Sequence, residues 1–246
     1  MNLLLDIGNT RVKWCVEKNG ALGKGFAIIH QQTDFIQQIQ SAWMELETPS
    51  ILAVSSVTNK QMLEQLIALA ETLWPSIKVL LAKSSAQGFS VRNAYPQANK
   101  LGVDRWLGLI ALQHHYPGNS CIIDCGTAIT LDVINQQGRH LGGVICPGLQ
   151  LMKQSLSAGT EALGHSQQHY DIGLANATES AIYTGTLYAA AGLIEKSIAD
   201  FCSCETIVLT GGDAELISPY LKLDCIIEPQ FILKGLSLYC KEGEIK

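Results

Sequence analysis

Two aspartates, one in each half of the sequence, are the first candidates for catalytic or ligand-binding residues. Asp6 ends a short apolar run and is followed by Gly8, and Asp124 ends a similar run and is followed by Gly126. A strand that ends in Asp and turns through Gly holds a carboxylate beside backbone N–H groups, because glycine has no Cβ to keep a ligand away. Two such carboxylates could hold hydrated Mg²⁺ while the turns grip phosphates. A single Asp-x-Gly turn is also common in plain hairpins, so it is the repetition that points to function.

The side chains around both turns suit a polyphosphate. After the first aspartate come two polar residues, Asn9 and Thr10, and two cations, Arg11 and Lys13, while Thr127 supplies a hydroxyl in the second turn. Lys13 could equally lie on a solvated strand face. The chain contains neither G-x-x-x-x-G-K-[ST] nor G-x-G-x-x-G, so a nucleotide would be bound without a P-loop or a dinucleotide fingerprint.

Gly102, Val103, Asp104 and Arg105 form another candidate group, placed before a helical period. An aspartate beside an arginine can act as a general base next to a guanidinium that clamps a substrate carboxylate through two hydrogen bonds. Phosphoryl transfer needs mainly positioning and late proton removal, so an aspartate of ordinary pKa suffices as the base. The structural alternative is that Asp104 caps the helix and Arg105 is its surface neighbour.

Two further turns could line the same site. Gly211-Gly212-Asp213 follows an apolar run, and Cys146-Pro147-Gly148 precedes a helical period. The first turn could let adenine or a phosphate approach the backbone closely, and the second could form a wall. Each of them alone is equally consistent with a plain connection between elements.

The composition describes a globular protein and argues against several classes of function. Of the 246 residues, 47% are hydrophobic and 16% are charged, and the net charge is −5. An acidic chain without a run of Lys and Arg disfavours nucleic acid as a partner, and no apolar stretch approaches the roughly 20 residues of a membrane span. The eight cysteines contain no C-x-x-C pair and the histidines no H-E-x-x-H. We therefore expect reduced thiols in a cytoplasmic protein rather than a zinc enzyme, with a metal site at Cys202-x-Cys204 as the less favoured alternative.

The apolar periodicity predicts an α/β protein built from two similar halves. The first half reads β-β-β-α-β-α-β, and after a break at Pro117-Gly118-Asn119 the opening strand, Asp-x-Gly turn and second strand start again. Near-equal halves with the same opening indicate a duplicated fold. We predict two domains, 1–117 and 118–246, packed against each other, and a polar loop without a role at 164–170. Predicted helices cover residues 35–44, 59–73, 106–114, 149–158, 178–201 and 214–220.

Five motifs together resemble one family. They are Asp6-Ile-Gly-Asn-Thr10, Gly102-Val-Asp-Arg105, Asp124-Cys-Gly-Thr-Ala128, Pro147-Gly148 and Gly211-Gly212-Asp213. In this order and at these intervals they resemble the type III pantothenate kinases, also called Bvg accessory factors, over essentially the whole chain. That family belongs to the superfamily of acetate and sugar kinases, heat-shock ATPases and actin. The resemblance implies two duplicated ribonuclease-H-like domains, each a mixed sheet flanked by helices, with the active site in the cleft.

The resemblance also implies an activity and assigns roles to residues. The activity is ATP-dependent phosphorylation of the 4′-hydroxyl of pantothenate, the first step of coenzyme A synthesis, with Mg²⁺ on Asp6 and a monovalent cation, K⁺ or NH₄⁺, on Asp124. Asp104 is implied as the catalytic proton acceptor and Arg105 as the partner of the pantothenate carboxylate. The implied ATP contacts are Asp6, Gly8, Asn9, Thr10, Arg11, Lys13 and Thr127. The implied pantothenate contacts are Tyr95, Gly102, Val103, Asp104, Arg105 and Thr178.

Three alternatives stay open at this point. The family forms homodimers, and the Ala- and Gly-rich helix from Ala181 to Ile194 could pack against a second copy or be plain core. A kinase of the same superfamily could act on a different small acceptor, although Asp104, Arg105 and Tyr95 suit a hydroxylated carboxylic acid better than a hexose. A nucleotide-binding regulator without catalysis is disfavoured, because it has no evident use for a base beside an arginine clamp.

Overall fold

The computed structural model describes residues 1–158 and 169–244. They form two units, one of Met1–His115 together with the C-terminal segment from Gln230, the other of Tyr116–Pro229. Most of the polar stretch 164–170, predicted to be a loop, lies outside the described residues.

The C-terminal residues pack in the first unit, whereas the predicted division at 117/118 gave them to the second domain. The helix Phe231–Glu244 lies against the helix Val103–His115. Gly235 permits this close approach, because a Cβ on it would overlap the backbone of Leu107. The sequence analysis predicted no helix in this segment.

The first unit is a mixed sheet flanked by helices. Its strands are β1 (Asn2–Ile7), β2 (Arg11–Lys18), β3 (Ala21–Leu22), β4 (Phe26–Ile29), β5 (Ile51–Ser56), β6 (Lys78–Leu81), and the small hairpin β7 (Gln87–Gly88) and β8 (Val91–Arg92). Its helices are α1 (Phe35–Met44), α2 (Lys60–Leu73), a 3₁₀ turn (Ala98–Lys100), α3 (Val103–His115) and α7 (Phe231–Glu244). The sheet order is β3-β2-β1-β5-β6, with β4 on β2, and β1 runs antiparallel to β2 but parallel to β5.

The central strand of this unit is apolar on both faces. Leu3, Leu4 and Leu5 are fully buried, as expected for a central strand with helices on both faces of its sheet. Helix α2 starts where the sequence predicts, because the side chain of Asn59 accepts the Met62 N–H at 3.0 Å and caps the first turn. The carboxyl ends of these buried strands are therefore held rigidly, which matters for the aspartate of β1.

The second unit repeats the same sheet topology. Its elements are β9 (Ser120–Cys125), β10 (Ala128–Ile134), β11 (His140–Pro147), α4 (Leu149–Ala158), α5 (Thr178–Phe201), β12 (Thr206–Thr210), α6 (Ala214–Ile217), a 3₁₀ turn (Ser218–Tyr220) and β13 (Ile226–Ile227). The order is β11-β10-β9-β12-β13, with β9 antiparallel to β10 and parallel to β12. This order matches that of the first sheet strand for strand, so the predicted α/β fold with two similar mixed sheets is confirmed.

Helix α5 covers one face of the second sheet. Its residues Tyr183, Leu187 and Ile194 share a buried cluster with Cys121 and Ile123 of β9. Within the described ranges, no helix combines the length and apolar character that crossing a membrane requires.

Candidate active site

Asp6 lies one residue before the end of β1, in a row of three polar side chains. Lys13 of β2 and Ser55 of β5 are its direct partners in register on either side. Direct partners in a sheet project to the same face, so the carboxylate, the ammonium and the hydroxyl stand side by side. Asp6 is only 7% exposed and Lys13 is half-buried, which argues against the alternative of Lys13 on a solvated strand face.

The surroundings of Asp6 disfavour the ionised form of its carboxylate. Burial raises its pKa to about 6, although nearby Lys13 lowers it, and the charge of Asp104 in the same unit raises it further. Oδ1 of Asp6 is buried and has no hydrogen-bond partner among the residues that the structure describes. A buried carboxylate oxygen is costly unless a donor or a cation meets it, and carboxylate oxygens are the ligands that Mg²⁺ prefers. The residue therefore fits a divalent cation.

The turn between β1 and β2 presents the predicted phosphate-binding residues. Gly8 N–H donates to the carbonyl oxygen of Arg11 at 3.0 Å, which closes a tight turn with Asn9 and Arg11 exposed and Thr10 half-buried. His30, which the sequence analysis did not consider, lies with its Nε2 3.1 Å from the carbonyl oxygen of Gly8. The turn is thus fixed from the sheet side, and its polar side chains remain accessible.

Asp104 is the second residue of α3, and its carboxylate is tied to the start of that helix. The backbone N–H of Arg105 donates to Asp104 Oδ1 at 2.7 Å. A Cβ on Gly102 would lie 2.5 Å from the same oxygen, so only glycine leaves room for the carboxylate there. The helix-capping alternative and the general-base hypothesis are therefore compatible, because Asp104 is half-buried and within electrostatic range of Asp6.

Arg105 is not a surface neighbour, in contrast to the structural alternative considered for it. It is 7% exposed, and its Nη1 donates to the hydroxyl of Tyr95 at 3.0 Å. Its guanidinium carbon also lies 5.6 Å from the centre of the Tyr95 ring. Two residues that the resemblance assigns to the pantothenate site therefore meet directly beside Asp104.

Asn93 holds the loop that carries Tyr95, and the sequence analysis missed it. Its Oδ1 accepts the Tyr95 N–H at 2.9 Å, and its amide donates to the carbonyl oxygens of Ser85 and Ala98. The available signal was weak: an Asn two residues before an aromatic residue in a loop is typical of an Asx turn.

Asp124 occupies in the second unit the place that Asp6 has in the first. Its direct register partners are Thr130 of β10 and Thr210 of β12. Gly211 follows with a φ of 97°, and a Cβ on it would overlap both Asp124 Oδ1 and the carbonyl oxygen of Cys125. Gly211 thus packs closely against the Asp124 carboxylate, and carboxylate and carbonyl oxygens are the ligand types that a hard cation takes.

The two turns whose role was open lie against the turn of Thr127. The N–H of Gly148 donates to the carbonyl oxygen of Thr127, and the N–H of Asp213 donates to that of Cys125, both at 2.9 Å. A Cβ on Gly148 would overlap the carbonyl oxygens of Gly126 and Thr127. Three small-residue turns thus pack against one another in the second unit.

The whole chain can be compared with known proteins. A sequence model of the type III pantothenate kinases matches residues 2–200. The chain belongs to this family. It is 36% identical to a type III pantothenate kinase of Nitrosococcus oceani over 98% of this chain and 94% of that protein. A type III pantothenate kinase of Pseudomonas aeruginosa is 35% identical over 98% of this chain and 99% of its own.

Solved structures share the fold. A Baf family protein from Campylobacter jejuni superposes with a TM-score of 0.61 at 23% identity, covering 99% of this chain and all of that one. Component A of (R)-2-hydroxyglutaryl-CoA dehydratase from Acidaminococcus fermentans gives a TM-score of 0.57 at 13% identity, covering 100% of this chain and 99% of that one. At these identities the similarity concerns the fold alone.

The family confirms the activity expected from the motifs. The protein is a pantothenate kinase that uses ATP to phosphorylate pantothenate in coenzyme A biosynthesis. The roles assigned to individual residues stay predictions. Thr178 is exposed on the first turn of α5 in the second unit, whereas Tyr95, Asp104 and Arg105 belong to the first.

Proposed function

We propose that the first unit carries the pantothenate site, with Asp104 as the proton acceptor and Arg105 as the carboxylate clamp. The observation that carries this proposal is a buried guanidinium held by Tyr95 directly after a half-buried aspartate. The planar fork of donors of a guanidinium matches a carboxylate, and such a contact is stronger where water is excluded. Pantothenate offers both a carboxylate and a hydroxyl, which a hexose does not.

In the proposed reaction the 4′-hydroxyl oxygen of pantothenate attacks the γ-phosphorus of ATP, and ADP leaves. Asp104 accepts the hydroxyl proton late in the reaction, when the oxygen has become acidic by bonding to phosphorus. The Arg105 N–H that donates to Asp104 Oδ1 orients the carboxylate for this step. Arg105, held by Tyr95, binds the carboxylate end of pantothenate. This contact orients the hydroxyl at the other end for attack.

We further propose that Asp6 binds Mg²⁺ and that Asp124 binds a monovalent cation, K⁺ or NH₄⁺. The buried Asp6 oxygen, which has no hydrogen-bond partner among the described residues, supports the first assignment, and the corresponding place of the Asp124 carboxylate on β9 supports the second. When bound, the divalent ion supplies neutralising charge for the β- and γ-phosphates of ATP. Lys13, half-buried beside Asp6, adds a fixed positive charge at the same place.

The proposed ATP contacts lie on the two Asp-x-Gly turns. Asn9 and Arg11 offer exposed donors in the first unit, with Gly8 and Thr10 half-buried beside them, and Thr127 offers its hydroxyl in the second. Gly148 and Gly211 pack against the backbone of the second turn and hold it in place beside the Thr127 hydroxyl.

Replacing Arg105 by Lys tests the clamp. We expect KM for pantothenate to rise by about 10–100-fold, because a charge-assisted bidentate contact contributes about 1.5–3 kcal/mol that a lysine does not recover. KM for ATP should change by less than about threefold. Steady-state kinetics with each substrate varied in turn measure both values, and the exposed Arg139→Lys variant is the matched control. An unchanged KM for pantothenate would remove Arg105 from the site.

We also propose that the protein is a homodimer that pairs through α5. The outward face of this helix is a strip of small residues and one aromatic, Gly185, Tyr188 and Gly192, and Tyr188 is 60% exposed. Among the described residues, apart from the backbone of the helix itself, no atom lies within 4 Å of a Cβ added at Gly185 or Gly192. A second copy of the helix could therefore approach closely along this strip.

Substituting Gly185 by Arg should convert the dimer to a monomer without unfolding it, because the new side chain meets open space within its own chain. Light scattering coupled to gel filtration measures the mass. Gly173→Arg, which also meets open space but lies outside α5, is the control and should stay dimeric. A wild-type mass of one chain, or a dimeric Gly185 variant, contradicts this interface.

We place the enzyme in the cytoplasm. All eight cysteines carry free thiols. Disulfides form in oxidising compartments, whereas a chain of this size with free thiols suits a reducing one. Localisation of a tagged full-length chain by fractionation tests this assignment, and recovery outside the cytoplasmic fraction would refute it.

A further inference from the structure

Three cysteines that the proposed reaction does not use lie together in the second unit. The sulfur atoms of Cys121, Cys202 and Cys204 are all within 4.8 Å of one another. Cys121 is buried, and Cys202 and Cys204 are half-buried, so the cluster is reached from solvent on one side. The sequence separates Cys121 from the other two by a hairpin, a third strand and two helices.

The backbone brings the three thiols together by a simple route. Helix α5 ends at Phe201, and Cys202 has extended dihedral angles, φ −117° and ψ 122°. In extended chain, side chains two residues apart point to the same side, which accounts for Cys202 and Cys204. The next residue, Glu205, donates its N–H to the carbonyl oxygen of Asn119 at 2.7 Å and starts the pairing with β9. Both cysteines are thereby anchored beside Cys121, near the amino end of β9.

The cluster lies apart from the proposed active site. Cys121 is three residues before Asp124 on β9, which corresponds to about 10 Å along a strand. Residues an odd number of positions apart in a strand point to opposite faces. Cys121 accordingly packs with Ile123 and α5 in the core, while Asp124 belongs to the other face.

We propose that Cys121, Cys202 and Cys204 form a three-thiolate site for a thiophilic metal ion, of which Zn²⁺ is the representative. Sulfur ligands select soft and borderline metals over Mg²⁺ and K⁺. Around a tetrahedral zinc with Zn–S bonds of about 2.3 Å, sulfur atoms lie about 3.8 Å apart, so rotations that move each thiol by less than about 1 Å complete the geometry. Water can supply the fourth ligand from the solvent-exposed side.

Binding of the metal would deprotonate the cluster, because the thiolate and not the thiol is the metal ligand. Zn²⁺ would form three Zn–S bonds and release the thiol protons to solvent. The bound ion would fasten the end of α5 and the start of β12 to β9, which gives the site a structural role.

Titration of the fully reduced protein with Zn²⁺ in competition with a chromophoric chelator tests the site. We expect one tightly bound Zn²⁺ per chain in the wild type and none in the double variant Cys202→Ser with Cys204→Ser. The matched control is Cys146→Ser with Cys225→Ser, which removes the other two half-buried thiols and should still bind one ion. The single variant Cys204→Ser, which is the milder change, should weaken binding at least about tenfold.

Thermal denaturation gives a readout that does not depend on activity. Zn²⁺ in excess should raise the Tm of the wild type and of the control by at least about 5 °C and leave that of the double variant unchanged. Absence of stoichiometric binding, or equal binding by the double variant, overturns the proposal. A third outcome would also overturn it. The protein purified without reductant would then have a mass two hydrogens lower, because two of the three cysteines form a disulfide, and it would bind no Zn²⁺ after reduction.

Discussion

Replacement of Asp104 by Asn is expected to lower kcat by about 10²–10⁴-fold, the usual contribution of a general base, while KM for ATP and pantothenate stays within about threefold of the wild-type value. The reason is that the amide retains an oxygen to accept the Arg105 N–H, so the start of α3 is preserved, but it cannot take a proton. The change therefore separates the capping role of Asp104 from its proposed chemical role.

The matched control for this experiment is Asp34→Asn. Asp34 is exposed before α1 in the same unit, and its side chain makes no capping hydrogen bond, so its replacement should leave kcat unaltered. Steady-state rates, together with binding of each substrate by calorimetry, give the required values. Normal turnover in the Asp104 variant would show that the proton goes elsewhere and would leave Asp104 as a helix cap alone.

Replacement of Asp6 by Asn is expected to abolish turnover and, without ligands, to stabilise the fold. The pKa of Asp6 is raised from 3.8 to about 6 by burial, so its ionised form disfavours the folded state. This unfavourable contribution to the free energy of folding is absent below the unfolded-state pKa near 3.8. It grows as the pH rises to about 6 and is constant above that pH. A shift of about two pKa units corresponds to about 3 kcal/mol at most, so we expect a gain of about 1–3 kcal/mol at pH 7.5.

Urea denaturation without Mg²⁺ or nucleotide measures this gain. The variant should exceed the wild type in free energy of unfolding at pH 7.5, and the difference should shrink as the pH falls below about 6 and vanish below 3.8, where the wild-type carboxyl is protonated in both states. Asp34→Asn should show no such pH-dependent difference. A variant that is less stable at pH 7.5 and as active as the wild type would contradict two claims: that the buried charge of Asp6 destabilises the fold, and that Asp6 binds the metal.

Much of the fold could be predicted because its signals are local. Helix α1 covers the predicted residues 35–44, and α4 and α5 likewise match, since a 3.6-residue apolar period and the flanking turns specify them. The duplication was visible because each half opens with a strand, an Asp-x-Gly turn and an antiparallel strand. Helix α7 was missed although Pro229 stands two residues before its start, because its partner α3 is more than 100 residues away along the chain.

The site could be predicted where its residues are contiguous in the sequence. It could not be predicted where residues distant in the sequence come together. Asp104 and Arg105 are adjacent, but the burial of Arg105 under Tyr95 depends on a loop that Asn93 folds, which no spacing reveals. The cysteine cluster shows the same limit. Cys202-x-Cys204 alone is a weak metal signal, and its third member, Cys121, is supplied only by the pairing of β12 with β9.

The most direct test of the account is ATP-dependent phosphorylation of pantothenate by the purified protein with Mg²⁺, run in parallel with K⁺ or Na⁺ as the sole monovalent cation. We expect phosphopantothenate to form with K⁺ and to be nearly absent with Na⁺, and we expect Asp124→Asn to lose the response to K⁺. Equal rates in both salts would contradict the cation site at Asp124. No product in either salt would contradict the central claim that this chain phosphorylates pantothenate.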